Sequence, residues 1–346
     1  MVKTMNVLVT GVGGQLGHDV MNELYKRGYQ GTGSDIQPEY AGAQDGSPVA
    51  TMPYISLDIT NRDAVMKAVQ ALRPDVIVHC AAWTAVDLAE DDDKVAKVRA
   101  VNVGGTQNIA DAAKAIDAKM VYLSTDYVFD GQGETPWDPD FKGYKPLNVY
   151  GQTKLDGELA VSGTIDKYFI VRIAWVFGKN GKNYIKTMLN IGQSHDELRI
   201  VDDQIGTPTY TFDLASLLVD MIETEKYGYY HATNAEIPAS EGGYLMDGTK
   251  SASPEAVYTK EGTKTGYISW YDFSREIFRQ AALLGHDEYS EKNLRLIPVS
   301  TAEYGLSKAK RPFNSRLDKS KLVSEGFTPL PDWRDALARY LKELGY

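Results

Sequence analysis

A tyrosine and a lysine four residues apart, Tyr150 and Lys154 in Tyr150-Gly151-Gln152-Thr153-Lys154, carry the first sign of chemistry in this chain. On a helix such residues stack on one face, so the phenol and the ammonium open into the same space. A phenol ionises near pH ~10 when unperturbed, and a fixed cation favours the phenolate and brings its proton closer to transfer at neutral pH. A hydroxyl from Thr125, in Ser124-Thr125-Asp126-Tyr127-Val128-Phe129-Asp130-Gly131, could then hold the carbonyl that receives the proton. The same pair on an exposed helix is only a surface contact, so its meaning depends on what surrounds it.

The elements that would position it begin near the N-terminus. Met5-Asn6-Val7-Leu8-Val9-Thr10 reads as a short apolar strand running into Gly11-Val12-Gly13-Gly14-Gln15-Leu16-Gly17, with a helical stretch from His18 to Arg27 behind it. Glycines at the first, fourth and seventh places allow a tight turn, close approach of backbone amides to a pyrophosphate, and packing of the helix on the strand. The helix N-terminus then faces the anion. The next strand ends in Gly31-Thr32-Gly33-Ser34-Asp35, placing a carboxylate about twenty residues beyond the glycines, where it could bind adenosine ribose hydroxyls. Asp35 would repel a 2′-phosphate, and Ile36 and Gln37 supply no cation, so NADH is expected over NADPH.

Strand and helix patterns keep alternating: a strand at 54–58, a helix at 61–72, a strand at 74–79, helices near 92–117, a strand at 120–124, the Tyr150 helix and a strand at 168–175. Near-continuous apolar strands separated by helices predict an α/β fold, a Rossmann-type doubly wound parallel sheet covered on both faces. Ligands of such sheets bind beyond the carboxyl ends of the strands; Asp58, Ala81, Ala82, Trp83 and Thr125 fall at such ends. A dinucleotide-binding domain is expected over 1–174, with a later strand near 229–232 returning to it, and 175–346 mainly as a smaller C-terminal substrate-binding lobe. The 236–266 stretch is rich in Gly, Ser, Thr, Lys and Glu without a sustained period and reads as an inserted surface loop.

Composition narrows the function classes. At 346 residues the chain can bury a substantial core, and a net charge of −10 with no basic stripe argues against a nucleic-acid partner. Glu90-Asp91-Asp92-Asp93 reads as a solvated helix start. The single cysteine, Cys80, excludes an internal disulfide and is expected to be a small buried residue beside the cofactor strand. Five scattered histidines show no ligand spacing, so no metal is expected. No signal peptide and no apolar run of membrane-spanning length is read, which predicts a cytoplasmic protein without a membrane partner.

With these residues in view, the chain resembles the extended short-chain dehydrogenase/reductases, and within them the dTDP-4-dehydrorhamnose reductases. Besides the glycine turn and Tyr150/Lys154, the likeness runs through Ala81-Ala82-Trp83-Thr84-Ala85-Val86-Asp87, Val101-Asn102-Val103-Gly104-Gly105-Thr106, Leu147-Asn148-Val149-Tyr150-Gly151, Trp175-Val176-Phe177-Gly178, Asp202-Asp203-Gln204-Ile205-Gly206-Thr207-Pro208-Thr209 and Arg311-Pro312-Phe313-Asn314-Ser315. The resemblance implies NAD(P)H-dependent reduction of the 4-keto group of dTDP-4-dehydro-L-rhamnose. It implies Tyr150 as general acid, Lys154 on the nicotinamide ribose and lowering the Tyr150 pKa, and Thr125 on the substrate oxygen. It further implies Gly11, Gly14, Gln15, Leu16 and Gly17 at the pyrophosphate and Asp35 with Ile36 at the ribose. Asp58 and Ile59 would border the adenine, Ala81, Ala82 and Trp83 would line the cofactor channel, and Asn102 would support the Lys154 site. Thr84, Val86, Asp126, Tyr127 and Trp175 match positions around the sugar, and Arg311 would suit the diphosphate because a fork of donors fits phosphate.

Alternatives stay open at this point. The related 4,6-dehydratases need a Glu directly after the Thr-Asp pair, where this chain has Tyr127. A 4-epimerase would keep the Tyr-Lys pair, and a non-catalytic regulatory subunit like that of methionine adenosyltransferase would share the fold without turnover. Monomer and homodimer are both compatible with the sequence.

Overall fold

In the computed structural model, which describes residues 5–235 and 267–346, seven strands form one sheet. These are β1 (Asn6–Thr10), β2 (Gln30–Asp35), β3 (Tyr54–Ser56), β4 (Val76–His79), β5 (Lys119–Thr125), β6 (Tyr168–Ile173) and β7 (Gly228–His231). Their order is β7-β6-β5-β4-β1-β2-β3, with every neighbouring pair parallel. The connecting helices are α1 (Gln15–Lys26), α2 (Arg62–Leu72), α3 (Asp92–Arg99), α4 (Thr106–Ala115) and α5 (Val149–Thr164). The expected insertion at 236–266 lies outside the described residues.

Alternation along each strand sends side chains to two cores, which is why the strands read as unbroken apolar runs. Val7, Val9, Val76, Val78, Val121 and Phe169 pack with α1 and with the helix Thr211–Ile222. Leu8, Ile77, Met120, Tyr122 and Ile170 pack on the opposite face with α2, α4 and the C-terminal part of α5. The second half of the chain thus serves both regions: Leu214–Ile222, Leu322, Phe327 and Leu330 lie in a sheet core, whereas Phe177, Ile185, Leu189, Phe273, Ile277, Trp333 and Tyr340 form a separate core of their own. The chain crosses between the two at Trp175, whose φ of +50° is a left-handed conformation that a bulky residue adopts only under the constraint of its neighbours. Its indole stacks on Trp270 with centroids 3.8 Å apart.

Two boundaries differ from the sequence reading. Helix α1 begins at Gln15, not His18, because Gly14 in extended backbone (φ −81°, ψ 177°) serves as the N-cap without any polar side chain to mark it. The expected helices near 92–117 are α3 and α4 joined by a π-helical turn, Ala100–Gly105. Among the described residues no helix is long and apolar enough to cross a membrane, and no group of three His, Cys, Asp or Glu side chains could hold a metal ion.

Candidate active site

The strand order reverses direction of growth at β1, between β2 and β4, and the glycine turn follows β1 there. Gly11 has φ +73°, and a Cβ on it would lie 2.6 Å from the Ala81 amide nitrogen. A Cβ on Gly17 would lie 2.4 Å from the Gly11 carbonyl oxygen. Both positions therefore require glycine, and the result is a bare backbone edge leading into α1, whose N-terminus no side chain caps. One strand over, the Asp35 carboxylate accepts the Gly13 N–H (3.0 Å) and the Ile36 N–H (2.7 Å). A glycine-lined turn, an uncapped helix end and an adjacent fixed carboxylate together fit a dinucleotide.

The other residues expected around a cofactor divide by what they offer. The Gln15 side chain accepts from Asn183 Nδ2 at 3.0 Å, and Leu16 is buried in the core, so both present backbone rather than side chain to the crevice. Gly14 donates its N–H to the Gly11 carbonyl at 3.0 Å. Ile36 is exposed, Asp58 is exposed with Oδ1 turned back on Thr60, and Ile59 is buried against Gly105. Ala81, Ala82 and Trp83 are half-buried just past β4. Cys80 is half-buried rather than enclosed, since the chain opens into the crevice there; its surroundings push the thiol up to about 12, far from thiolate.

The Asn102 side chain accepts the Trp83 N–H (2.7 Å) and donates to the Trp83 carbonyl (3.2 Å) and to Thr153 Oγ1 (3.0 Å), with the residue almost wholly buried. These bonds tie the segment after β4 to α5 through Asn102. The π-helical turn places it between them. Asn102→Ala is expected to destabilise the protein by about 1–3 kcal/mol, because buried donors and acceptors lose their partner. A urea midpoint equal to that of the parent protein would contradict this.

Helix α5 carries Tyr150 and Lys154. It starts at Asn148, whose Oδ1 accepts the Gly151 N–H at 2.7 Å and whose Nδ2 donates to the Lys310 carbonyl at 2.8 Å. Glu90 Oε1 accepts the Val149 N–H at 2.7 Å, so this member of the acidic cluster is a partner of the α5 N-terminus rather than a solvated side chain. Tyr150 is half-buried with its ring edge-on to Tyr127, centroids 5.7 Å apart. Lys154 is buried.

The electrostatics depart from the expected pairing. The desolvation of the crevice raises the Tyr150 phenol well above its ordinary pKa, Asp126 adds to the rise, and the Thr125 hydroxyl opposes it; Lys154 is not among the groups acting on it. The lysine is pushed down to about 7 by burial, opposed by Glu158 and Cys80. Its ammonium lies over the Tyr122 ring, 4.1 Å from the centroid. Thr125 donates to Asp126 Oδ1 at 3.0 Å and accepts the Tyr127 N–H at 3.3 Å. Asp126 is buried, and burial raises its carboxyl to about 6 against the Ser315 and Thr125 hydroxyls, which act to lower it.

Of the residues expected around a sugar, Thr84 is exposed and Val86 half-buried on the segment leaving β4, while Tyr127 and Trp175 are half-buried. Arg311, expected at a diphosphate, donates from Nη1 and Nη2 to Asp87 Oδ1 (3.0 Å) and Oδ2 (2.8 Å), a bidentate pair.

Four contributors escaped the sequence reading. Asn148 had a legible signal, an Asn two places before Tyr150 and just ahead of the helix. Asp87, Tyr122 and the buried pair of Glu158 with Arg172 had none, because their partners are set by the sheet rather than by spacing. Arg172 donates from Nε and Nη2 to the two Glu158 oxygens at 2.8 Å each, from Nη2 also to the Tyr144 hydroxyl at 3.0 Å, and from Nη1 to the Pro139 carbonyl at 3.1 Å. Both residues are fully buried.

The chain is similar to known proteins over nearly its full length. A dTDP-4-dehydrorhamnose reductase of Aggregatibacter actinomycetemcomitans is 34% identical over 344 residues, covering 96% of each chain. One of Streptomyces griseus is 36% identical over 331 residues, covering 95% of this chain and 91% of the relative. The crystal structure of dTDP-4-dehydrorhamnose reductase from Bacillus anthracis in complex with NADP superposes with a TM-score of 0.78 at 34% identity, covering 98% of this chain and 99% of that one. The model of the family described as RmlD substrate binding domain matches residues 5–241 and 245–346, and the chain belongs to that family.

Proposed function

We propose that this protein reduces the 4-keto group of dTDP-4-dehydro-L-rhamnose to give dTDP-L-rhamnose with NADH or NADPH. What supports the reading is that Thr125 ends β5 while Tyr150 and Lys154 share one face of α5, packed against that strand. Full-length similarity to proteins named for this reaction supports the substrate.

A bound reduced nicotinamide supplies the reducing equivalent. The protein's task is then to anchor the ketone and to protonate the oxygen that gains charge. The raised pKa keeps Tyr150 protonated at neutral pH, and an alkoxide is a stronger base than a phenolate, so transfer from this phenol runs downhill. The Thr125 hydroxyl stabilises the tyrosine's developing charge. Tyr127 stands where the 4,6-dehydratases need a carboxylate base, which disfavours elimination; its ring instead walls the Tyr150 phenol. The decisive experiment mixes purified protein, NADH or NADPH and enzymatically generated dTDP-4-dehydro-L-rhamnose. Cofactor oxidation with dTDP-L-rhamnose as product is expected; no oxidation despite cofactor binding would shift the assignment to another keto-sugar or to a regulatory subunit.

We further propose a preference for NADH. The Asp35 charge is fixed beside the glycine turn by two backbone amides and would face a 2′-phosphate with like charge. The expected result is a lower KM for NADH than for NADPH, with the ratio falling by about tenfold in Asp35→Asn, in line with about 1.4 kcal/mol of lost repulsion. A wild-type preference for NADPH would overturn it.

A further inference from the structure

Lys154 is buried on α5, and among the described residues its ammonium makes no hydrogen bond or ion pair. The group beneath it is the Tyr122 ring of β5, itself without solvent exposure, with Nζ 4.1 Å from the ring centroid. The contact is framed from three sides. The Tyr122 hydroxyl donates to the Lys154 carbonyl at 3.2 Å. A Cβ on Gly157 would lie 2.1 Å from that hydroxyl oxygen, so the glycine in the middle of α5 is what admits the ring. His79 stacks behind Tyr122 at 6.0 Å and is held between Thr10 Oγ1 and Thr106 Oγ1.

We propose that the Tyr122 ring is the positioning group that keeps Lys154 charged and aimed along the crevice. The proposal rests on the reading of Lys154 as part of the reductase site. A buried ammonium with no anion of its own loses its proton unless something replaces water, and an aromatic face does so without competing for its hydrogen-bond donors, which stay free for a ribose. Of the other titratable groups near Lys154, Glu158 and Cys80 favour its charge without offsetting its burial. Glu158, one turn further along α5, is already engaged by Arg172. Cys80 at the end of β4 is a neutral thiol, Tyr150 one turn earlier is a neutral phenol, and burial with the Lys154 charge keeps His79 neutral.

The test measures the ionisation of Lys154 in the cofactor-free protein, from the pH dependence of its acetic anhydride labelling resolved by peptide mass spectrometry. In Tyr122→Leu the labelling midpoint is expected to fall by about one pH unit or more. NADH affinity, measured by fluorescence titration, is expected to weaken about tenfold at pH 8 and much less at about pH 5, where the lysine is mostly charged in either protein. Tyr122→Phe keeps the ring and loses only the hydroxyl, so its midpoint should match wild type. A folded Tyr122→Leu with an unchanged midpoint overturns the proposal. So does a Tyr122→Phe midpoint as low as one unit below wild type, which would assign the effect to the hydroxyl, and this second variant decides the matter should the first not fold. Neither readout uses the keto-sugar, so failure here is distinct from failure of the proposed reaction.

Discussion

Tyr150→Phe is expected to lower turnover on the keto-sugar by roughly 10²–10⁴-fold, the span that general acid catalysis contributes, with NADH affinity nearly intact. The separation is the informative part. The phenol faces Thr125, Asp126 and Tyr127, whereas the cradle for a dinucleotide is built from Gly11, Gly17 and Asp35 on other elements. The ring contact with Tyr127 survives in phenylalanine, so a fall in turnover reports the lost proton rather than a collapsed wall. Stopped-flow oxidation of NADH under saturating substrate measures it directly. Turnover within threefold of wild type would remove Tyr150 from the role of acid, and a matching loss of NADH affinity would make it a binding residue instead.

The second large effect concerns stability. Glu158 and Arg172 have no solvent exposure, and the arginine satisfies both carboxylate oxygens while donating to Pro139 and Tyr144. Its guanidinium also lies 5.0 Å from the Phe129 ring centroid and 4.9 Å from that of Tyr229. Removing one member strands the other charge where water cannot reach it, a loss of about 3–5 kcal/mol. Glu158→Ala is therefore expected to unfold at much lower urea than the parent, and Arg172→Met to do likewise. The double replacement by apolar residues should cost less than the sum of the singles, because no orphaned charge remains. Additive losses in that cycle would show that the two groups act independently.

The sheet was legible because every central strand is buried on both faces, which leaves an uninterrupted apolar run in the sequence. Tyr150 and Lys154 were legible for a local reason too, since one helix turn separates them. What escaped is what depends on tertiary register. The pairing of Arg311 with Asp87 gave no sign, because the two are 224 residues apart in the chain. Tyr122 carried no mark of its place under Lys154, because only the packing of α5 on β5 brings them together. Asn102 was visible as a residue of interest, yet its role followed from a π-helical turn that no periodicity announces. Glu90 read as a hydrated carboxylate until the N-terminus of α5 came to rest on it.

The hydrogen bond from Asn148 to the Lys310 carbonyl carries a consequence for biosynthesis. The segment around it is laced into the rest of the molecule at several points: Ala309 N–H donates to Asp87, Asn314 N–H to Gly131, Ser315 N–H to Ile205, and Trp137 N–H to Arg316. Domains tend to fold from the N-terminus as they are made, and the glycine turn with its strands can form early. The seat of Tyr150 cannot, because the carbonyl that ties down the start of α5 lies 162 residues further along the chain. In a nascent protein of this sequence the glycine turn can thus be in place well before the start of α5 is held where the finished fold has it.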